Sequence, residues 1–139
     1  MTWVPPTGGE PIVQPRLAEL EAAIMHRGSE FWDVGCGDGG LYFDVDSRAA
    51  GELYLAYSES AGFLVRHNDC ATREEFALAS GAPETESVVI HPGGNPWRLP
   101  ARFFVPRQTA WQAVQQFIID GSRAPDLGWA PFDFPELEP

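Results

Sequence analysis

The chain has no lysine: all nine of its basic residues are arginine, set against twenty acids, for a net charge of −11 over 139 residues. An all-arginine complement suggests a high-GC coding background more than a chemical demand. So acidic a field repels nucleic acid and anionic membranes, which argues against direct binding to either. It attracts a basic partner and speeds the encounter, although acidity also serves solubility alone. Cysteine is scarce as well. Cys36 and Cys70 lie far apart and outside any C-x-x-C spacing. Two reduced thiols are expected rather than a disulfide or a zinc site. No apolar run approaches membrane-spanning length, and the start MTWVPPTGGEP has neither the basic residues nor the apolar stretch of a signal peptide. A cytoplasmic location is therefore expected.

What is present points to a packed domain. Hydrophobic residues make up 44% and aromatics 12% of the chain, too much for a disordered acidic tail. The length suits one domain with one core. Residues 1–11, with three prolines and two glycines, read as an irregular arm, 12–130 as the domain, and 131–139 (PFDFPELEP) as an acidic, aromatic tail. Gln14-Pro15 opens a helix whose Leu17, Leu20, Ala23 and Ile24 share a face and which Gly28 stops. Strands are expected near 30–35, 41–46, 52–58, 61–67 and 87–91, with a further one at 103–105. GCGDGG, Asp46–Gly51 and Ser60–Gly62 read as turns, and HPGGNPWRLP as a loop. In the strand at 52–58, Leu53, Leu55 and Tyr57 fall on one face, and Tyr54 and Ala56 on the other. The expected architecture is α+β: a mainly antiparallel sheet of about five or six strands, with an N-terminal and a C-terminal helix packed on one face.

DVGCGDGG, Asp33 to Gly40, resembles the first motif of class I methyltransferases, in which glycines let the backbone approach S-adenosylmethionine. That reading requires a helix to begin at the glycines and an acid to end the next parallel strand. Gly40 is instead followed by Leu-Tyr-Phe-Asp-Val-Asp, which has strand chemistry, so a turn between antiparallel strands is favoured. His26, His67 and His91 sit in three separate elements, at none of the close spacings of a metal site. Cys36 would be accessible as a nucleophile in its turn, but no base can be assigned to it, and cysteine is commonly a small buried hydrophobe. Ser58-Glu59-Ser60 lacks the glycines of a nucleophile elbow. No catalytic residue, metal or cofactor is expected, and the chain reads as a binding protein rather than an enzyme.

The C-terminal block VPRQTAWQAVQQFIIDGSRAPDLGWAPF, Val105 to Phe132, carries the most specific pattern. Val105-Pro106 leads into a helix at 107–120 with a core stripe of Ala110, Ala113, Val114, Phe117 and Ile118. Gly121 closes it in the left-handed conformation, Pro125 stiffens the return, and Trp129 folds back. This arrangement resembles the C-terminal signature of the immunity protein 1 family of bacterial polymorphic toxin systems. The matching positions are Val105, Pro106, Ala110, Ala113, Phe117, Gly121, Pro125 and Trp129. They are folding residues, so the resemblance speaks to scaffold and biological role rather than to a site. It implies a protein that binds and neutralises a toxin, commonly a nucleic-acid deaminase. The all-Arg, Ala- and Pro-rich composition would suit an actinobacterial member.

A deaminase must hold a polyanion, so its cleft is expected to be basic around a zinc-bound water. A chain of charge −11 would steer to that cleft and cover it. The acids expected to face such a toxin are Asp38, Asp44, Asp46, Glu52, Glu59 and Asp69, on hairpin turns and strand edges. Trp97, on an exposed loop, would supply an aromatic anchor. Two readings stand beside this one: a small S-adenosylmethionine-binding methyltransferase-like protein, and an acidic adaptor unrelated to toxins.

Overall fold

Three long strands set the architecture: β3 (Asp38–Val45), β4 (Arg48–Ser58) and β5 (Gly62–Asp69). They form an antiparallel meander, with Leu41 opposite Leu53 and Leu55 opposite Val65. The structure, a computed structural model, describes residues 1–33, 38–81, 86–92 and 95–132. Asp46 and Ser47 form a two-residue hairpin loop and both have positive φ, 51° and 63°, as the turn whose twist matches its strands requires. Around the meander lie β1 (Thr2–Val4), β2 (Ile12–Val13), β6 (Glu75–Leu78) and β9 (Trp129–Pro131). All pairings are antiparallel, in a seven-stranded sheet of order β2-β1-β3-β4-β5-β6-β9. A separate two-stranded hairpin pairs β7 (Ser87–Ile90) with β8 (Trp97–Pro100).

The sheet has a core on each side. One face presents Leu41, Leu53, Leu55, Phe63 and Val65 to α1 (Leu17–Met25), α2 (Ser29–Trp32) and α3 (Arg107–Asp120). Leu20, Ala23 and Ile24 of α1 and Ala110, Ala113, Val114 and Phe117 of α3 are buried there. Trp32 is fully enclosed, with Trp3, Phe31 and Phe63 edge-on around it, and its indole N–H donates to the Ala23 carbonyl at 3.0 Å. On the opposite face Ala56, Leu64 and Ala77 are covered by Ile90 and Leu99 of the hairpin, with Phe103, Phe104 and Phe132. Gly121 (φ 78°) ends α3, and Trp129, paired with Leu78, donates its indole N–H to the Ala124 carbonyl at 2.9 Å.

Several expectations are corrected. Residues 30–32 are helical rather than extended, because Trp32 is drawn into the core by its aromatic neighbours. The expected turn at GCGDGG is thus preceded by a helical turn rather than by a strand and followed by β3; its residues 35–37, Cys36 included, lie outside the described residues. The arm at 1–11 contributes a strand: Trp3 is 3% exposed, and hiding so large an apolar surface outweighs the ordering of a few residues. Helix α1 begins at Leu17, after Gln14 in the left-handed region; Leu17 is 51% exposed, outside the core stripe. It ends at Met25, so Gly28 precedes α2 instead of stopping α1. Arg48–Gly51 belong to β4, not to a turn. HPGGNPWRLP contains β8, and residues 101–103 form a 3-10 turn, with Val105 making only an isolated bridge to Phe63. Strands β6 and β9 add to the expected number.

Candidate partner interface

The meander gathers some of the anticipated acids and scatters others. The β3–β4 turn and the β5–β6 connection lie at one end of the sheet, where Gly51 is opposite Asp69. Asp46 is in the first turn and Asp44 two residues before it, both exposed; Asp69 begins the second and is half-buried; Glu52 lies one residue inward on β4. Helix α3 ends there too, for a Cβ on Gly51 would sit 2.6 Å from the Gly121 carbonyl oxygen. Its last residue, Asp120, and the exposed Glu74 add to the charge. Among the described residues, Asp44, Asp46, Asp69 and Glu74 make no ion pair. Asp69 accepts backbone N–H bonds from Ala71 and Thr72 at 2.9 and 3.2 Å. Thr72 chiefly, then Ala71, holds its pKa below the ordinary carboxylate value. Two large apolar side chains stay exposed beside these acids: Val45 between Asp44 and Asp46, at 52%, and Ile119 before Asp120, at 70%.

Glu59 is at the other end, in the β4–β5 turn, where it accepts the Ser29 hydroxyl at 2.5 Å. Asp38 is not on a turn; it opens β3 opposite Ala56. Trp97 is not on an exposed loop either. It is a half-buried residue of β8 whose ring centroid lies 5.5 Å from the Arg66 guanidinium.

Asp38, Glu52 and Trp97 converge instead on a patch that sequence reasoning missed, on the sheet face shared with the β7–β8 hairpin. Its centre is Arg66, 6% exposed, paired with Glu75 at 2.7 Å and lying 4.8 Å from the Tyr54 ring and 5.5 Å from that of Phe132. Burial pulls the pKa of Arg66 down, and the charges of Glu75, Tyr54 and Asp38 oppose it. Tyr54 donates its hydroxyl to Glu52 and stands edge-on to Tyr42 at 6.1 Å. Tyr42 leans over Gly40, where a Cβ would meet the tyrosine ring and hydroxyl at 3.0 Å. On the other face Gly39 gives the Trp3 indole similar room, a Cβ there falling 2.9 Å from it. These two glycines of the motif thus clear both faces of β3 for aromatic rings. Burial, then Glu52 and then Asp38, raise the pKa of Tyr42; burial and Glu52 push Tyr54 above the usual phenol range. The crevice between Asp38, Tyr54, Arg66 and Trp97 encloses about 10 Å³, room for one water and not for a substrate.

The remaining reactive groups are not assembled. His26 and His91 are exposed, and His67 is buried under α3. Among the described residues no three His, Cys, Asp or Glu side chains are placed to hold a metal ion. The Cys70 thiol lies 3.9 Å from Glu52; burial, then Glu52 and Asp69, raise its pKa, which disfavours the nucleophilic thiolate. The strand after Gly40 also replaces the helix that an S-adenosylmethionine site would need at its glycines. No helix is long and apolar enough to cross a membrane among the described residues.

Comparison with known proteins supplies what local geometry does not. Residues 8–131 match the family model described as immunity protein Imm1. None of the curated proteins matches the chain.

Proposed function

The chain belongs to the Imm1 family of immunity proteins and so acts against a toxin; from that premise we propose that its target is a basic toxin domain, a nucleic-acid deaminase, whose substrate cleft it covers. The observation that carries this reading is the end of the sheet where Asp44, Asp46, Asp69 and Glu74 stand without ion-pair partners among the described residues. Acids spent on internal salt bridges do little at a distance, whereas these keep their field directed outward. Asp120 and Glu52 reinforce it, and the chain leaves the sheet nearby, with the Phe132 N–H bonded to the Glu75 carbonyl, before a sequence that carries Asp133, Glu136 and Glu138.

A deaminase cleft that holds a polyanion offers the complementary charge. Steering brings the two surfaces together, and Val45 and Ile119 then supply apolar contact inside the acidic rim. Substrate is excluded both by occupancy and by like charge. In this reading neither a cofactor nor a metal is held by the chain, and the protein acts in the cytoplasm of the producing cell or its neighbour.

The test is to mix the purified protein with the toxin domain encoded beside its gene, and to measure complex formation and deamination of single-stranded DNA and RNA. A tight one-to-one complex with loss of deamination is expected. No complex, or a complex that leaves the toxin fully active, overturns the proposal. S-adenosylmethionine should not raise the melting temperature; a cofactor-dependent rise would favour the methyltransferase-like reading instead.

A further inference from the structure

We propose that the patch formed by Tyr42, Tyr54, Glu52, Asp38 and Trp97 is a docking subsite for a guanidinium side chain of the basic partner. It rests on the basic-partner reading above and adds a place and a chemistry to it. The five side chains project from β3, β4 and β8 on the face opposite the helices, and all are half-buried, with their positions fixed by the sheet.

The chemistry is already demonstrated within the patch by its own resident cation. Arg66 lies over the rings of Tyr54, Trp97 and Phe132 at 4.8, 5.5 and 5.5 Å and pairs with Glu75 at 2.7 Å. Aromatic faces beside carboxylates are what a planar, weakly hydrated guanidinium recognises. Arg66 nevertheless leaves the patch electronegative: its pair with Glu75 is internally balanced, and Glu52 and Asp38 add two carboxylates on the same sheet face. Glu52 stands directly opposite Tyr42 in the β3–β4 register, and Asp38 lies four residues before Tyr42 on the same face of β3. Tyr42 lies on β3, two strands from Arg66, where its ring packs over Gly40 and its edge-on contact with Tyr54 holds it in place. An incoming guanidinium would stack on Tyr42 and pair with Glu52, whose two oxygens also meet the Tyr54 hydroxyl and the Cys70 thiol. The enclosed crevice beside Arg66, about 10 Å³, has no space for it, so the contact falls at the half-buried Tyr42 instead.

Two titrations of the full chain test this separately from the toxin reading. In the first, N-acetyl-arginine amide is added while the tyrosine ring resonances are followed by NMR, with the uncharged N-acetyl-citrulline amide as control. Saturable shifts at Tyr42 and Tyr54 with the arginine compound alone are expected. No shift, or equal shifts with both, overturns the proposal whatever the partner is. In the second, the adjacent toxin domain is titrated calorimetrically into wild type, Tyr42→Ala, Tyr42→Phe and Glu52→Gln. Tyr42→Ala and Glu52→Gln should each weaken binding by about ten-fold, whereas Tyr42→Phe, which keeps the ring, should bind within about two-fold of wild type. Unchanged melting temperatures separate this from a folding effect. Wild-type binding that all three variants preserve overturns the subsite and leaves the immunity reading intact; absence of a wild-type complex overturns the immunity reading, and the arginine titration still decides the patch.

Discussion

His67 Nε2 lies 2.8 Å from the carbonyl oxygen of Gly121, joining the middle of β5 to the stop of α3. Since a carbonyl only accepts, Nε2 carries the proton and the neutral ring leaves Nδ1 bare, buried and without a partner among the described residues. Phe117 and Trp129 pack edge-on at 5.9 and 6.1 Å. The contact clamps the C-terminal helix and the return strand onto the sheet.

Protonating this ring would bury a charge and an unmatched N–H, so burial lowers its pKa below the ordinary 6.5, although the Gly121 bond opposes the shift. The unfolded chain therefore takes up a proton at a higher pH than the folded one. Stability from His67 is complete above pH 6.5 and declines as the pH falls below it, until the folded-state value is reached. Urea denaturation between pH 5 and 8 should show this decline, and His67→Phe should remove it. The variant should also cost about 1–2 kcal/mol at pH 8, from the unpaired Gly121 carbonyl. The lowered carboxylates Glu30, Asp69 and Asp120 act only below their ordinary values of 4.5, 3.8 and 3.8, so the windows are separate. A slope that survives His67→Phe would place the titrating group elsewhere.

Gly62 opens β5 at φ 100°, and a Cβ there would lie 2.4 Å from the Val105 carbonyl oxygen. Backbone is the obstacle, and Phe63 and Val105 exchange 2.8 Å hydrogen bonds at the same point. Gly62→Ala should therefore destabilise by about 3 kcal/mol or more, combining left-handed strain with a forced separation of β5 from the entry to α3. Gly81→Ala, where nothing among the described residues lies within 4 Å, should melt near wild type. Equal melting of the two variants would show that the strand can shift to absorb the methyl.

Arg107 begins α3 and caps a different helix. Its Nη1 donates to the Ile24 and Arg27 carbonyls at 2.8 and 2.5 Å, and its Nη2 to the Tyr57 hydroxyl at 3.1 Å. Positive charge at the end of α1 also complements the helix dipole. Lysine preserves that charge but cannot fork across three acceptors. Arg107→Lys should cost about 1–3 kcal/mol in urea denaturation, and Arg107→Ala more. A lysine variant as stable as wild type would mean that the charge alone suffices.

The long strands were legible because alternation is unambiguous in Leu53-Tyr54-Leu55-Ala56-Tyr57, and α3 because its apolar stripe is bounded by Pro106 and Gly121. Strand β6 was not, because Glu75 reads as a surface charge until Arg66, nine residues earlier, is known to bury beside it. Nor was α2, since Ser-Glu-Phe-Trp has no periodicity at four residues and its conformation follows from where Trp32 packs. The candidate surface divides the same way. Acidity and turn positions marked Asp44, Asp46 and Asp69, whereas Tyr42 depends on register: only the pairing of Gly40 with Tyr54 reveals the gap over which it leans. The alternation that set Tyr54 apart from Leu53 and Leu55 was the one available signal.

Asp46 in the β3–β4 turn and Asp44 just before it are exposed and support no ion pair among the described residues, so neutralising them should alter encounter rather than fold. Charges at the rim of an interface act chiefly on the association rate and its salt dependence, because the field works before contact and is screened beyond about 10 Å at 0.1 M salt. The double variant Asp44→Asn, Asp46→Asn should slow association with the toxin domain by about five-fold at 20 mM salt, and by less than about two-fold at 500 mM. Dissociation should change little. Asp46 has φ 51°, a conformation asparagine also tolerates, so the turn is preserved. Stopped-flow association at several salt concentrations separates the two rates. An association rate equal to wild type at low salt would mean that this end of the sheet faces away from the partner. A faster dissociation with unchanged association would instead make these two acids part of the close contact.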